Sequence, residues 1–190
     1  SGGMERFYNR GNINLNSKEK LIQDNYKKVN QISARCMRVI VAILALAFLY
    51  CYFGTDMDDS VLIVFFASAI FIALIPTLII NILKFDHAPV TKHIVIICVC
   101  LIATLMLTLL STYAYPIMLF PILLASLYYN QTLVLFASLL MSCGIVVSNY
   151  FSYRFSNVFI GFPCETFEEA MLSYVVPQIV VVFGLSVAAY

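Results

Sequence analysis

Side chains able to do acid–base, nucleophilic or metal chemistry are scarce in this chain, and those present are spaced for none of it. His87 and His93 stand on a short connector at 84–93 with Asp86 beside the first. Zinc hydrolases carry His-Glu-x-x-His on one helical turn, and structural sites use Cys-x-x-Cys arms. The pair here matches neither pattern, so a solvated loop is favoured over a metal site. Cys36, Cys51, Cys98, Cys100, Cys143 and Cys164 include no Cys-x-x-Cys. Cys98 and Cys100 fall on different sides of one helix and Cys143 falls in mid-segment, which reads as small packing residues. No Gly-x-Ser-x-Gly turn or paired-aspartate protease motif occurs in the sequence. The expectation is a non-enzymatic chain without metal or cofactor.

The elements that would have to position any such site explain the scarcity. From Ile94 to Tyr153 there is no Asp, Glu, Lys or Arg, and roughly 20 consecutive apolar residues suffice for a helix to cross hydrocarbon. Composition agrees, at 62% hydrophobic and 11% charged, with mean hydropathy +0.93. Proton transfer and metal ligation inside a bilayer need ionisable groups there, and this stretch has none. The expected class is all-α and polytopic, with six transmembrane helices near 39–53, 60–83, 94–111, 113–128, 132–153 and 171–190. The fourth is short, bounded by Tyr113, Tyr115, Tyr128 and Tyr129 as interfacial tyrosines.

Charge sets the orientation. Arg6, Arg10, Lys18, Lys20, Lys27, Lys28, Arg35 and Arg38 precede the first span, which predicts a cytoplasmic N-terminus. Alternation then puts Asp56, Asp58 and Asp59 outside, Lys84 and Lys92 inside, and the 154–169 loop with Glu165, Glu168 and Glu169 outside. With six spans both termini are cytoplasmic. Cys51 and Cys164 then share the outer side, and a disulfide between them stays open.

Residues 1–3 before Met4 read as a cloning remnant, 4–38 as a cytoplasmic lead-in, and 39–190 as the membrane domain. Tyr190 ends the chain inside its last apolar stretch, which predicts truncation of a longer protein, because terminal carbonyls in lipid lack partners. The lead-in carries a capping-box start at Asn16-Ser17-Lys18-Glu19. Ile22, Tyr26, Val29, Ser33 and Met37 follow at helical spacing, with Lys and Asn opposite. A helix held on anionic lipid by Lys18, Lys20, Lys27 and Lys28 is favoured there over a lever or dimer contact. Thr166-x-x-Glu169 is a second capping box, and its acidic residues suit a helix start without a bound cation.

Pro76, Pro116, Pro121 and Pro177 mark expected bends that leave carbonyls to be satisfied elsewhere. Together with nearby polar residues they place a candidate ligand site in the outer leaflet, formed by Tyr113, Tyr115, Pro116, Ser148, Asn149, Tyr150 and Gln178. A lining without charge suits a small uncharged or lipid-like molecule. Packing with interfacial tyrosines is the competing account of the same residues.

Asn25-Tyr-Lys-Lys-Val-Asn-Gln-Ile-Ser33, the run Tyr115-Pro-Ile-Met-Leu-Phe-Pro-Ile-Leu-Leu-Ala-Ser-Leu-Tyr-Tyr-Asn130 and the ending Val147-Ser-Asn-Tyr-Phe-Ser-Tyr153 resemble the N-terminal six-helix membrane module of clostridial-type bacterial signalling proteins. That resemblance implies a sensor in the bacterial cytoplasmic membrane that relays a ligand or membrane signal to a cytoplasmic output, such as a chemotaxis signalling helix or a diguanylate cyclase. It also implies a homodimer. The partners expected are the lipid bilayer, a second copy and a small neutral ligand, with no nucleic acid. Two other readings fit the span count. One is the substrate-binding subunit of a vitamin-uptake transporter, docking through small residues such as Ala67, Ala69 and Ala73. The other is a structural dimerising anchor using the Ser138, Ser142 and Gly144 face.

Overall fold

The computed structural model describes residues 2–54, 58–84, 89–110, 116–154 and 166–188, with side chains from Lys20 onward except at 89, 167 and 170. No proline occurs before Pro76, and the first helix, α1 (Gly2–Gly54), runs unbroken through the lead-in and the first apolar stretch. The expected helix start at Asn16 is therefore corrected: nothing in that segment interrupts propagation of the helix. Asp58 caps α2 (Asp59–Asn81), its side chain accepting the Ser60 N–H at 2.8 Å. Pro76 lies buried inside α2, where its ring leaves the carbonyl one turn earlier without the usual partner. Next come α3 (Pro89–Leu110), α4 (Phe120–Ser126) and α5 (Gln131–Arg154). A short α6 (Phe167–Ala170) leads through a π-helical turn, Met171–Val175, into α7 (Val176–Ala188). Thr166 Oγ1 accepts the Glu169 N–H at 3.2 Å, the capping contact its spacing predicts.

Every described element is helical, and five helices are long and apolar enough to cross a membrane: Lys20–Gly54, Asp59–Asn81, Val90–Leu110, Gln131–Arg154 and Met171–Ala188. Their outward surface is itself apolar. Val39, Ile43, Leu46 and Tyr50 on α1 and Val180 and Val187 on α7 are exposed, as a lipid-facing surface requires.

The expected fourth span differs. Helix there is limited to Pro116–Ser126, about 16 Å at 1.5 Å per residue, against about 30 Å of hydrocarbon. Pro116 opens a 3-10 turn and Pro121 sits in the first turn of α4, so the prolines start two short helical pieces and do not bend one long helix. The helical piece closes in a turn at Tyr129, whose φ of 49° is left-handed. Asn130 then begins α5 by accepting the Leu133 N–H on its side chain at 3.1 Å.

Helix directions follow from paired contacts. His93 meets Phe136 edge-on with ring centroids 5.7 Å apart, a Cβ on Gly144 would collide with Thr104 Oγ1, and Ser152 Oγ donates to the Thr108 carbonyl at 3.0 Å. Both residue numbers climb together, so α3 and α5 run parallel, and the connection through α4 returns the chain from the end of one to the start of the other. Gln178 beside Asn149 and Ser186 beside Ser138 make α7 antiparallel to α5. The lead-in, the start of α3, the end of α4 and the end of α7 consequently share one end of the bundle, and Arg154 lies at the other.

The interior centres on α3, the most buried of the five long helices. Cys98 and Cys100 are both buried, although they lie on different sides, because α3 has α2, α4 and α5 around it. Cys143 corrects the packing expectation, since it is exposed. Cys51 is buried, while Cys164 lies outside the described residues. Ala69 and Ala73 are buried within the chain, which removes them as a docking face for a separate partner; Ala67 remains exposed.

Hydroxyl groups in the interior bond their own helices. Ser33, Thr104, Thr108, Ser138, Ser142 and Ser186 each donate to the carbonyl four residues back, which satisfies them where water is excluded. Helix association in lipid draws on close packing and interhelical hydrogen bonds, since lipid tails match Leu in apolarity. Gly144 against Thr104 is such a close contact, and Ser152 donating to the Thr108 carbonyl is such a hydrogen bond.

Candidate functional site

Two buried polar clusters stand out, one toward each end of the bundle. At the Arg154 end, α5 presents Ser148, Asn149 and Ser152 inward one turn apart, and α7 presents Gln178. Asn149 Nδ2 donates to the Ile145 carbonyl at 2.8 Å and more weakly to Gln178 Oε1 at 3.5 Å. Ser148 Oγ donates to the Ile145 carbonyl at 3.0 Å. Gln178 is 5% exposed, and its Nε2 has no partner among the described residues. Rotating the Gln178 amide would set its NH2 against the Asn149 NH2, so the orientation with Nε2 unused is the better one. An unpaired buried donor costs about 1–3 kcal/mol. The π-helical turn Met171–Val175 precedes Pro177 and Gln178, where the missing proline N–H disturbs the hydrogen-bond ladder.

Of the seven residues expected to form the ligand site, the structure brings Asn149 and Gln178 together, with Ser148 buried alongside. Pro116 is exposed. Tyr150 is half exposed and packs edge-on against Phe151, ring centroids 6.0 Å apart. Tyr113 and Tyr115 lie outside the described residues.

The second cluster joins the lead-in to the bundle. Tyr128, 2% exposed, donates to Asn30 Oδ1 at 2.8 Å, and its hydroxyl lies 3.3 Å from Ser33 Oγ. Its ring stands 6.4 Å from that of Tyr26. Lys92 Nζ donates to Tyr26 Oη at 3.3 Å and sits 4.6 Å from that ring's centroid, a cation–π contact.

The sequence reading misses this cluster. It sets Asn30 on the polar face, Tyr128 in an interfacial belt and Lys92 as a topology signal, whereas all three are buried. The available signal is register: Asn30 and Ser33 sit one and four residues after Val29, on the face that Val29 and Met37 bury.

Neither cluster pairs a nucleophile with a base, and among the described residues no group of three or more His, Cys, Asp and Glu could hold a metal ion. His93 packs against Phe136, and His87 lies outside the described residues. The chemistry on offer is neutral hydrogen bonding at one end and a polar joint at the other. No protein-family model, curated protein or solved structure matches the chain.

Proposed function

We propose that this chain is the membrane sensor part of a signalling protein, taking a small neutral ligand in its outer half and passing a change of helix packing to the cytoplasmic side. The observation that carries the reading is Gln178: a buried amide with an unused N–H, on the helix that continues to the end of the bundle shared with the lead-in. A ligand carbonyl or ether oxygen accepting from Nε2 favours the arrangement of α5 and α7 that admits it. That differential affinity is what moves an equilibrium between two packings. The lead-in is the receiving element, because Tyr128–Asn30 and Lys92–Tyr26 tie it to α3 and to the end of α4.

In this reading the chain crosses the bilayer six times, its return through 111–130 being only partly helical, and the basic lead-in lies in the cytoplasm. The parallel course of α3 and α5 supports the count. Any catalytic output belongs to a cytoplasmic partner or domain, and a homodimer is the working assembly.

Native mass spectrometry of the detergent-purified chain tests this by reading subunit count and retained small molecules together. A dimer without a tightly held metabolite supports the sensor. A monomer retaining one vitamin-like mass overturns it in favour of a transporter's substrate-binding subunit.

A further inference from the structure

Beside the joint that holds the lead-in lies a cavity of about 530 Å3 between α1 and the Tyr128–Tyr129 turn. Its lining divides by chemistry. Leu21 and Ile22 are 72% and 43% exposed, and Tyr129 is 89% exposed, an apolar and aromatic wall without a cover. Lys28 and Asn25 line the same cavity, with Asp24 the single carboxylate and Tyr26 and Tyr128 closing it.

Behind Tyr26 stands Lys92, 8% exposed. Of its three N–H groups, one reaches Tyr26 Oη, and no carboxylate among the described residues pairs with it. An ammonium held away from water calls for an anion, which an aromatic face replaces only in part. Lys28 and Lys92 against Asp24 leave this wall net positive.

We propose that the cavity is a binding site for an anionic phospholipid of the inner leaflet. The phosphate is received by Lys28 under the field of Lys92, with the Asn25 amide as a further donor, and an acyl chain lies along Leu21, Ile22 and Tyr129. Position supports a lipid: the lead-in turns that line the cavity stand level with the start of α3, where Lys92 meets Tyr26 and the charge-free run begins at Ile94. The charge fits a phosphate, but a free phosphate would leave the apolar wall bare. A lipid occupies both halves. The consequence is regulatory, because the lipid would hold α1 against the Tyr128 turn, the contact through which the lead-in follows the bundle. The proposal is independent of what binds near Gln178.

The test uses the full chain, delipidated in detergent and offered phosphatidylglycerol or phosphatidylcholine, with adducts counted by native mass spectrometry. The expected result is a phosphatidylglycerol adduct about tenfold stronger than phosphatidylcholine. Lys28→Gln weakens it about tenfold, while Lys20→Gln, exposed on the same helix but outside the cavity lining, changes it less than about twofold. Both substitutions are at exposed positions, so folding is preserved. Equal binding of the two lipids, equal effects of the two substitutions, or displacement of the lipid by glycerol phosphate at matched concentration each overturns the proposal. So does a dimer that Leu21→Asp abolishes with no lipid adduct in the parent chain, which would give the groove to a second copy.

Discussion

Tyr128 and Asn30 lie ninety-eight positions apart in sequence and meet through a 2.8 Å hydrogen bond buried at the junction of the lead-in with α4. The contact fixes where the lead-in stands relative to the bundle, because α1 continues from Asn30 into the first apolar stretch as one helix.

Removing it takes from Asn30 Oδ1 a buried donor. Tyr128→Phe is expected to cost about 1–3 kcal/mol of stability, read as a lower unfolding midpoint in detergent. Asn30→Ala should cost a similar amount, and the double variant less than the sum, as contacting residues do. A fully additive cycle rules the contact out as a structural joint.

At Gly144 a methyl group would collide with the Thr104 hydroxyl. Gly144→Ala is expected to destabilise by about 1–3 kcal/mol, the usual cost of overpacking, by forcing α3 and α5 apart. Thr104→Ala in the same chain should restore most of the loss, because it removes the atom that is struck. A pair of thermal melts decides this, and no rescue would mean that the helices meet elsewhere.

Gln178→Leu replaces an amide whose N–H is unused by an apolar side chain of similar size. The expected change is neutral or a gain of up to about 2 kcal/mol in stability, whereas Asn149→Leu, which removes a 2.8 Å bond to the Ile145 carbonyl, gives no such gain. A marked loss in Gln178→Leu would show that the amide is fully partnered in the folded protein, and would remove the basis of the ligand site.

Orientation is open to a direct check. In a background with the native cysteines replaced, Asp59→Cys should react with a membrane-impermeant maleimide from outside intact cells, and Lys84→Cys only after permeabilisation. The opposite pattern inverts the topology.

The apolar run from Ile94 to Tyr153 by itself determined an all-helical chain with stretches suited to lipid, because hydrocarbon admits only backbone that satisfies its own hydrogen bonds. Local chemistry also fixed the Thr166–Glu169 cap and the buried course of Val29, Ser33 and Met37, since capping and helical periodicity act over one to three turns. The length of α4 was not legible, because Pro116 and Pro121 permit either one bent helix or two short starts, and the left-handed Tyr129 that closes the piece has no glycine to announce it. Only the tertiary structure decided that Asn30 faces Tyr128, that Gly144 seats Thr104 and that Gln178 keeps an unused donor. Those pairings join segments far apart in sequence, and hydropathy, which reports each residue's affinity for lipid, carries no record of which helix a given face will meet.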